Sequence, residues 1–309
     1  MHQHQPLVSI VLCTYNGERF LKAQLDSILN QTYPNTEVII TDDASTDGTK
    51  SILEDYTAKD NRIKIFFNDT NIGLTGNYEK ALQLTQGQYI AFSDQDDVWE
   101  VEKIEKLLSN LGDAMLVYCN SEYIDADGKL MNRKLTDYRN PFNGRNLFAM
   151  DEESGIWIAG HAQLFRRELL DTAFPFTPYI NHDAWIAYIA MLKGTVKFIP
   201  DILVYYRQHG LNAVGGLGCH SIMTAKTIDN AKDSKTKVTV GRIDALLSIL
   251  PSEETEFCSF LKKMRNYALY PTFANRLKRL GLRMRYARKI YAPRKRNIMR
   301  IWFKILKSF

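Results

Sequence analysis

Three features predict an α/β fold on a mainly parallel, doubly wound sheet with helices on both faces. Short β-branched runs alternate with segments of helical spacing, the connections are short, and each early run ends in a polar cluster. Leu7-Val8-Ser9-Ile10-Val11-Leu12 is the first run and ends in Thr14-Tyr15-Asn16-Gly17. Phe20, Leu21, Leu25, Ile28 and Leu29 then recur at helical spacing until Pro34-Asn35 breaks the pattern. Val38-Ile39-Ile40 is a second strand running into Asp42-Asp43-Ala44-Ser45-Thr46-Asp47-Gly48. There Ser45 or Asp47 suits the cap of a helix carrying Ile52, Leu53 and Tyr56. Ile63 to Phe67 reads as a strand, Tyr78 to Leu84 as a helix, and Tyr89 to Phe92 as a strand ending at an acidic cluster. A helix from about Val101 to Leu111 and a strand at Leu116 to Tyr118 complete the regular part.

The middle of the chain is less periodic. Asp125-Ala126-Asp127-Gly128 reads as a hairpin turn, residues 132 to 153 as a polar loop, and Gly155 to Phe165 as strand-like. Asp183 to Leu192 has helical spacing, and Val196 to Ile199 and Leu203 to Tyr206 read as two strands. Gly215-Gly216-Leu217-Gly218 suggests a flexible segment, and from Ile222 the pattern is helical, punctuated by Pro251, Pro271 and Pro293. These features divide the chain into a domain over 6–212 and a helical region over 213–309.

Composition bounds the function. With 45% apolar residues in 309, the chain carries a substantial core and is not a disordered one. Cys13, Cys119, Cys219 and Cys258 stand singly, without zinc-ligand spacing, which suits a reducing cytosolic setting. The first residues lack the layout of a signal peptide, and no apolar run approaches a membrane span. Charge is uneven: from Arg276 onwards there are thirteen Lys and Arg and no Asp or Glu, leaving a net −8 on residues 1 to 275 of a chain of net +5. The basic region interleaves its cations with Leu277, Leu280, Met284, Ile298, Trp302 and Phe303, a pattern suited to an anionic membrane interface. A helical subdomain with a solvated basic face is the alternative. Nothing in it supplies a base-reading motif, so no nucleic-acid partner is expected.

Ligands of open α/β sheets bind beyond the carboxyl ends of the strands, where the polar clusters lie. Asp94, Asp96 and Asp97 place three mutually repelling carboxylates within four residues. A divalent cation with oxygen ligands, Mg²⁺ or Mn²⁺, relieves that repulsion; a solvated acidic turn capping the helix after Trp99 is the plain alternative. Asp42-Asp43 offers a carboxylate for the N3–H of a uracil or thymine ring, or simply turn chemistry. Tyr15 suits packing against a base, or the sheet edge.

Taken in order, Val8-Ser9-Ile10-Val11-Leu12-Cys13-Thr14-Tyr15-Asn16, Asp42 through Thr49, Asn71-Ile72-Gly73 and Asp94-Gln95-Asp96-Asp97 resemble the motifs of family 2 glycosyltransferases of the GT-A fold. The resemblance covers about residues 6 to 210; the first motif commonly has Pro where this chain has Cys13. It implies that Thr14, Tyr15 and Asp43 serve the nucleotide, that Asp96 lies near ribose and metal, that Asp97 is the most direct metal ligand, and that Asp94 supports them. His182-Asp183-Ala184-Trp185 stands where the family places its catalytic carboxylate, making Asp183 the base for an inverting transfer, with a helix N-cap as its bland role. Tyr205-Tyr206-Arg207-Gln208-His209-Gly210 resembles a segment of bacterial rhamnosyltransferase-like members. There Arg207 suits a departing diphosphate and His209 a phosphate or the cation. Gly160-His161, before a strand or helix start, suits a border of the acceptor site or simply a packing glycine.

The resemblance thus implies transfer from a nucleoside-diphosphate sugar, dTDP-L-rhamnose or a UDP-hexose, to a saccharide acceptor, free or lipid-linked. The setting it implies is cell-surface polysaccharide or O-antigen assembly at the cytosolic face of the plasma membrane. A nucleotidyltransferase is the first rival, but Thr14-Tyr15-Asn16-Gly17 is not a basic, Gly-rich phosphate loop. A non-catalytic nucleotide-sugar or glycan-binding module is the second; it has no use for Asp183.

Overall fold

A computed structural model describes residues 5–138, 141–150, 157–210, 231–251, 255–270 and 272–290. The chain forms two compact units. The first comprises Met1–Gly144, Trp157–Phe176 and His182–His220; the second comprises Arg145–Ile156, Thr177–Asn181 and Ser221–Phe309. The domain boundary expected near residue 212 and the Gly-rich segment 215–218 lie outside the described residues.

The first unit opens with alternating elements: β1 (Val8–Thr14), α1 (Leu21–Leu29), β2 (Thr36–Asp42), α2 (Thr49–Thr57), β3 (Ile63–Phe67), α3 (Gly73–Gln83) and β4 (Tyr89–Ser93). β5 (Val98–Trp99), α4 (Lys103–Leu111), the hairpin β6 (Leu116–Ile124) with β7 (Leu130–Lys134), and α5 (Leu135–Tyr138) follow. β8 (Gln163–Arg166), α6 (Leu170–Ala173), α7 (His182–Lys193) and β9 (Val196–Arg207) complete it. Among the described residues these strands form one nine-stranded sheet in the order β3-β2-β1-β4-β8-β6-β9-β5, with β7 paired to β6. β3, β2, β1 and β4 are parallel, whereas β8 runs antiparallel between β4 and β6. Every residue of β1 and of β2 is buried, as strands covered on both faces require.

Apolar spacing explains the helices. On α4, Ile104, Leu107 and Leu111 are fully or almost fully buried. The cap expected from Ser45 or Asp47 is not formed: Gly48 occupies the N-cap of α2 without a side-chain bond, and Asp47, one residue earlier, accepts from the Thr49 amide at 3.0 Å through its Oδ1. The hairpin turn at Asp125 is present: Asp125 Oδ1 accepts from Asp127 and Lys129 amides, and Gly128 takes φ +84°.

Three further expectations need correcting. Of the strand-like reading of 155–165, residues 155–156 lie outside the described residues, and from 157 onwards it holds only from Gln163, because Gly160–Ala162 form a 3₁₀ turn that sends His161 inward. The two strands expected over 196–206 are one, since β9 continues past Pro200 by shifting register against Asn120. The loop expected over 132–153 contains the end of β7, α5 and a 3₁₀ turn at Leu147–Met150.

The second unit is built from α8 (Ala231–Ile249), α9 (Glu256–Leu269) and α10 (Phe273–Ile290). Its core joins Phe148 to Phe257, Phe260 and Tyr286, the last stacked at 5.1 Å. Thr255 caps α9 by accepting from the Cys258 amide. Among the described residues no helix is long and apolar enough to cross a membrane.

Candidate active site

The carboxyl ends of β1, β2 and β4 sit side by side, so their loops form one rim. Thr14 ends β1 and is buried, its hydroxyl donating to Asp42 Oδ2 at 2.7 Å. Asp42 in turn accepts from the amide and hydroxyl of Ser45. Thr14 therefore fixes the loop after β2 rather than facing outward. Tyr15 comes next, with 48% of its surface exposed. Its amide donates to Gln95 Oε1 at 2.9 Å, and Gln95 Nε2 donates back to its carbonyl at 3.0 Å. Gln95 thus pins the loop after β1 to the loop after β4. A Cβ on Gly17 would fall 2.3 Å from Gln95 Oε1, so a larger residue there would have to move the Gln95 side chain off the Tyr15 backbone.

Asp43 is buried, with a carboxylate that accepts from Asn68 Nδ2 at 2.9 Å, Ile72 N at 2.8 Å and Gly73 N at 2.9 Å. Those bonds explain the Asn71-Ile72-Gly73 motif as a turn wrapped on Asp43. They use about three of the roughly four acceptor positions a carboxylate offers.

At the end of β4 the acidic cluster divides. Asp94 keeps 39% of its side chain exposed and accepts from the Tyr78 hydroxyl at 3.1 Å. Asp97 is fully buried; its Oδ1 accepts from the Arg207 amide at 2.9 Å, while Oδ2 has no hydrogen-bond partner. His161, carried inward by the 3₁₀ turn, places Nδ1 at 3.6 Å from Asp94 Oδ2 and 3.5 Å from Asp97 Oδ2. Its Nε2 contacts Ser121 Oγ at 2.9 Å. Asp94, Asp97 and His161 each offer one ligand atom, all within 4.8 Å of one another.

Electrostatics separates the two carboxyls. Burial, with Asp96 and Asp94 beside it, pushes Asp97 well above the ordinary range, against the opposing Arg207 amide and Lys103. Burial acts on Asp94 in the same direction, but the bond and charge of His161, with His182 and Tyr78, hold it below its usual value. Two carboxylates and an imidazole fit a divalent cation, and the orphaned Asp97 Oδ2 favours one.

Arg207 and His209 come to the same wall. Arg207 is buried: Nε donates to the Asp96 carbonyl at 2.8 Å, Nη1 to the Asp125 and Ala126 carbonyls, and the guanidinium lies over Phe20 at 4.9 Å. His209 Nε2 lies 2.8 Å from Asp96 Oδ2, its ring 4.6 Å from that of Phe20. His209 therefore meets Asp96, and the group of three ligands closes on His161.

Asp183 lies in the first turn of α7, Oδ1 accepting from the Ala184 amide at 2.7 Å and Oδ2 from the Gly160 amide at 3.2 Å. It is inside the helix and not its N-cap. Gly160 and His161 are consecutive, so one peptide ties the carboxylate of α7 to the acidic cluster.

Several residues take parts in this site that the sequence did not assign to them. Lys103 is wholly buried over the Trp99 ring and donates to the His161 carbonyl at 2.5 Å; burial brings its ammonium down to about 7. Its signal was present, since Lys103, Leu107 and Leu111 recur every four residues on one helix face. His161 stands in the apolar run Ile158-Ala159-Gly160-His161-Ala162, the only sign that it turns inward. Tyr78 and His182 stack at 3.7 Å, and both His182 nitrogens lack hydrogen-bond partners.

Comparison with known proteins agrees with this geometry. Residues 9–174 match the model of glycosyl transferase family 2. The putative teichuronic acid biosynthesis glycosyltransferase TuaG of Bacillus subtilis is 42% identical over 108 residues, 35% of this chain and 43% of that protein. The UDP-Glc:alpha-D-GlcNAc-diphosphoundecaprenol beta-1,3-glucosyltransferase WfgD of Escherichia coli is 36% identical over 121 residues, 38% of this chain and 47% of its own. The matches thus span less than half the length of these relatives. Among solved structures, residues 1–349 of TarS from S. aureus, with UDP-GlcNAc, superpose at a TM-score of 0.61 with 15% identity, over 92% of this chain and 81% of that one. That likeness establishes the GT-A fold. On the family match, which covers more than half of its residues, the chain belongs to glycosyl transferase family 2.

Proposed function

We propose that the chain transfers a glycosyl group, with inversion, from a nucleoside-diphosphate sugar to a saccharide hydroxyl in the assembly of a cell-surface polysaccharide. The single observation that carries this reading is the joining of Asp94, Asp97 and His161 to Asp183 through the Gly160-His161 peptide.

On this reading, residues 6–212 carry the reaction. Tyr15 offers its exposed ring to the base, and Asp43 retains acceptor capacity for a uracil or thymine N3–H. Thr14 holds the loop that supports them. Asp94, Asp97 and His161 would hold Mg²⁺ or Mn²⁺, which when bound neutralises charge on the departing diphosphate. Arg207 adds a fixed positive charge behind Asp96 and Asp97. Asp183 takes the proton of the acceptor hydroxyl as its oxygen bonds to the anomeric carbon and the bond to the diphosphate breaks. A second ligand set, Asp96, Asp97 and His209, is favoured by the 2.8 Å approach of His209 to Asp96. Mn²⁺ titration of His161→Ala and His209→Ala decides between them: the true ligand's loss weakens cation affinity, and loss of the other does not.

WfgD is named for UDP-Glc and the TarS structure contains UDP-GlcNAc, which favours a UDP-hexose as donor. dTDP-L-rhamnose rests on the His-Asp and Tyr-Arg-Gln-His resemblance alone. The acceptor is a saccharide on a lipid carrier, met at the cytosolic face of the plasma membrane, where the cations after residue 275 suit anionic lipid. A thermal-shift screen of UDP-, dTDP- and GDP-sugars with Mn²⁺ or Mg²⁺ tests the donor. Stabilisation by one nucleoside-diphosphate sugar, and its acceptor-dependent turnover to the glycosylated acceptor and the free nucleoside diphosphate, supports the reading. Release of pyrophosphate from a nucleoside triphosphate instead makes the chain a nucleotidyltransferase.

A further inference from the structure

Among the described residues of the second unit, the large exposed apolar side chains fall in one place. Leu269 and Tyr270 end α9, and Phe273 and Leu277 begin α10; they are 37%, 67%, 70% and 46% exposed. Four of the eleven large exposed apolar residues among those described thus fall within nine positions, so the exposure is concentrated and not the ordinary scatter of a surface. Phe273 and Leu277, four residues apart, share one helix face. Hydrogen bonds join the end of α9 to the start of α10. Thr272 N and Asn275 Nδ2 both donate to the Tyr270 carbonyl, at 2.7 and 2.8 Å, and Arg276 N donates to the Thr272 carbonyl at 2.9 Å. Asn275 N adds a bond to Thr272 Oγ1. Leu269, Tyr270, Phe273 and Leu277 are thus exposed beside this bonding while Phe257, Phe260, Leu261 and Met264 of α9 are buried in the core.

Charge defines the partner. Residues 255–290 contain ten Lys and Arg and one acid, Glu256, which is paired with Lys289. Lys262, Lys263, Arg276 and Lys278 are exposed on the two helices that meet at the corner. An anionic bilayer satisfies both features, headgroups taking the cations and the acyl boundary taking the rings and leucines. A nucleic acid offers the phosphates but no apolar interior for Phe273 and Leu277.

We infer that the α9–α10 corner is the element by which this chain enters an anionic lipid surface, with Tyr270, Phe273 and Leu277 inserted and the neighbouring cations on the headgroups. The inference rests on the membrane-surface reading above and gives it a location. The test is co-sedimentation of the full chain with vesicles of mixed phosphatidylglycerol and phosphatidylcholine, beside pure phosphatidylcholine. The wild type pellets with the anionic vesicles and far less with the neutral ones. The Phe273→Ser/Leu277→Ser variant lowers that partition by about tenfold or more, and Tyr270→Ser lowers it independently. Both keep their helical circular dichroism and their turnover of a water-soluble acceptor. Unchanged binding in both variants, with binding lost when residues 291–309 are removed, overturns the corner and leaves membrane association standing. A wild type that ignores anionic vesicles and sediments as a dimer, made monomeric by Phe273→Ser/Leu277→Ser, assigns the corner to a second copy and overturns both.

Discussion

Asp97 is buried with one oxygen unsatisfied and its carboxyl raised, a costly state in the absence of a positive ligand. Mn²⁺ is therefore expected to raise the melting temperature of the wild type by mass action and to leave Asp97→Ala unmoved. Equal shifts in both proteins, by differential scanning fluorimetry, would remove Asp97 from the cation site. Asp183 carries a different expectation. Asp183→Asn keeps the bond from the Gly160 amide but cannot take a proton, so kcat should fall by about 10²–10⁴-fold with donor affinity retained. Full turnover in that variant removes the base assignment. Lys103 gives a pH prediction. Its folded-state value near 7 lies below the ordinary 10.5, so between those values the unfolded chain binds the extra proton. Stability contributed through Lys103 therefore rises with pH over that window and is lost as pH falls towards 7. Urea unfolding of the wild type and of Lys103→Met, at several pH values from 7 to 10, should show that rise only in the wild type. Parallel curves would mean that Lys103 does not titrate there.

Between residues and fold stand two junctions. The Gly160–Ala162 turn delivers His161 to Asp94 and Asp97 while its first amide holds Asp183. A Cβ at Gly160 would lie 3.1 Å from Asp183 Cβ, so Gly160→Ala must displace α7 or the turn by a few tenths of an ångström. Turnover is expected to fall, by up to about 10²-fold, with little change in the unfolding midpoint. If activity is untouched, the close contact is slack and the turn does not set the base. In the second unit the core rests on aromatic contacts of α9 and α10 with Phe148. Phe260 is buried, and Phe260→Ala should cost about 3–5 kcal/mol by chemical denaturation.

Across the whole molecule, much was legible in the amino-acid order. β-branched runs, helical spacing and the polar residues at strand ends specify an α/β sheet and place its ligand site at one rim, because side-chain periodicity reports which faces are buried. Four motifs in order carried the family. Tyr15, Asp43, Asp94, Asp96 and Asp97 were nameable since each stands just past the end of a strand, and strand ends are visible locally. Which of them meet was not legible. His161 reaches Asp94 and Asp97 only because β8 runs antiparallel between β4 and β6, and Lys103 is buried only because α4 packs beneath that same place. Likewise, Arg207 lies on Asp96 and Asp97 because β9 reaches the sheet's rim without a break at Pro200. Residue order alone thus dictates the kind of fold and the acidic rim; folding in three dimensions selects which imidazole, which carboxylate and which buried cation share it. The physical reason is that strand order and long-range packing bring together residues up to 113 positions apart, and no local pattern encodes that distance.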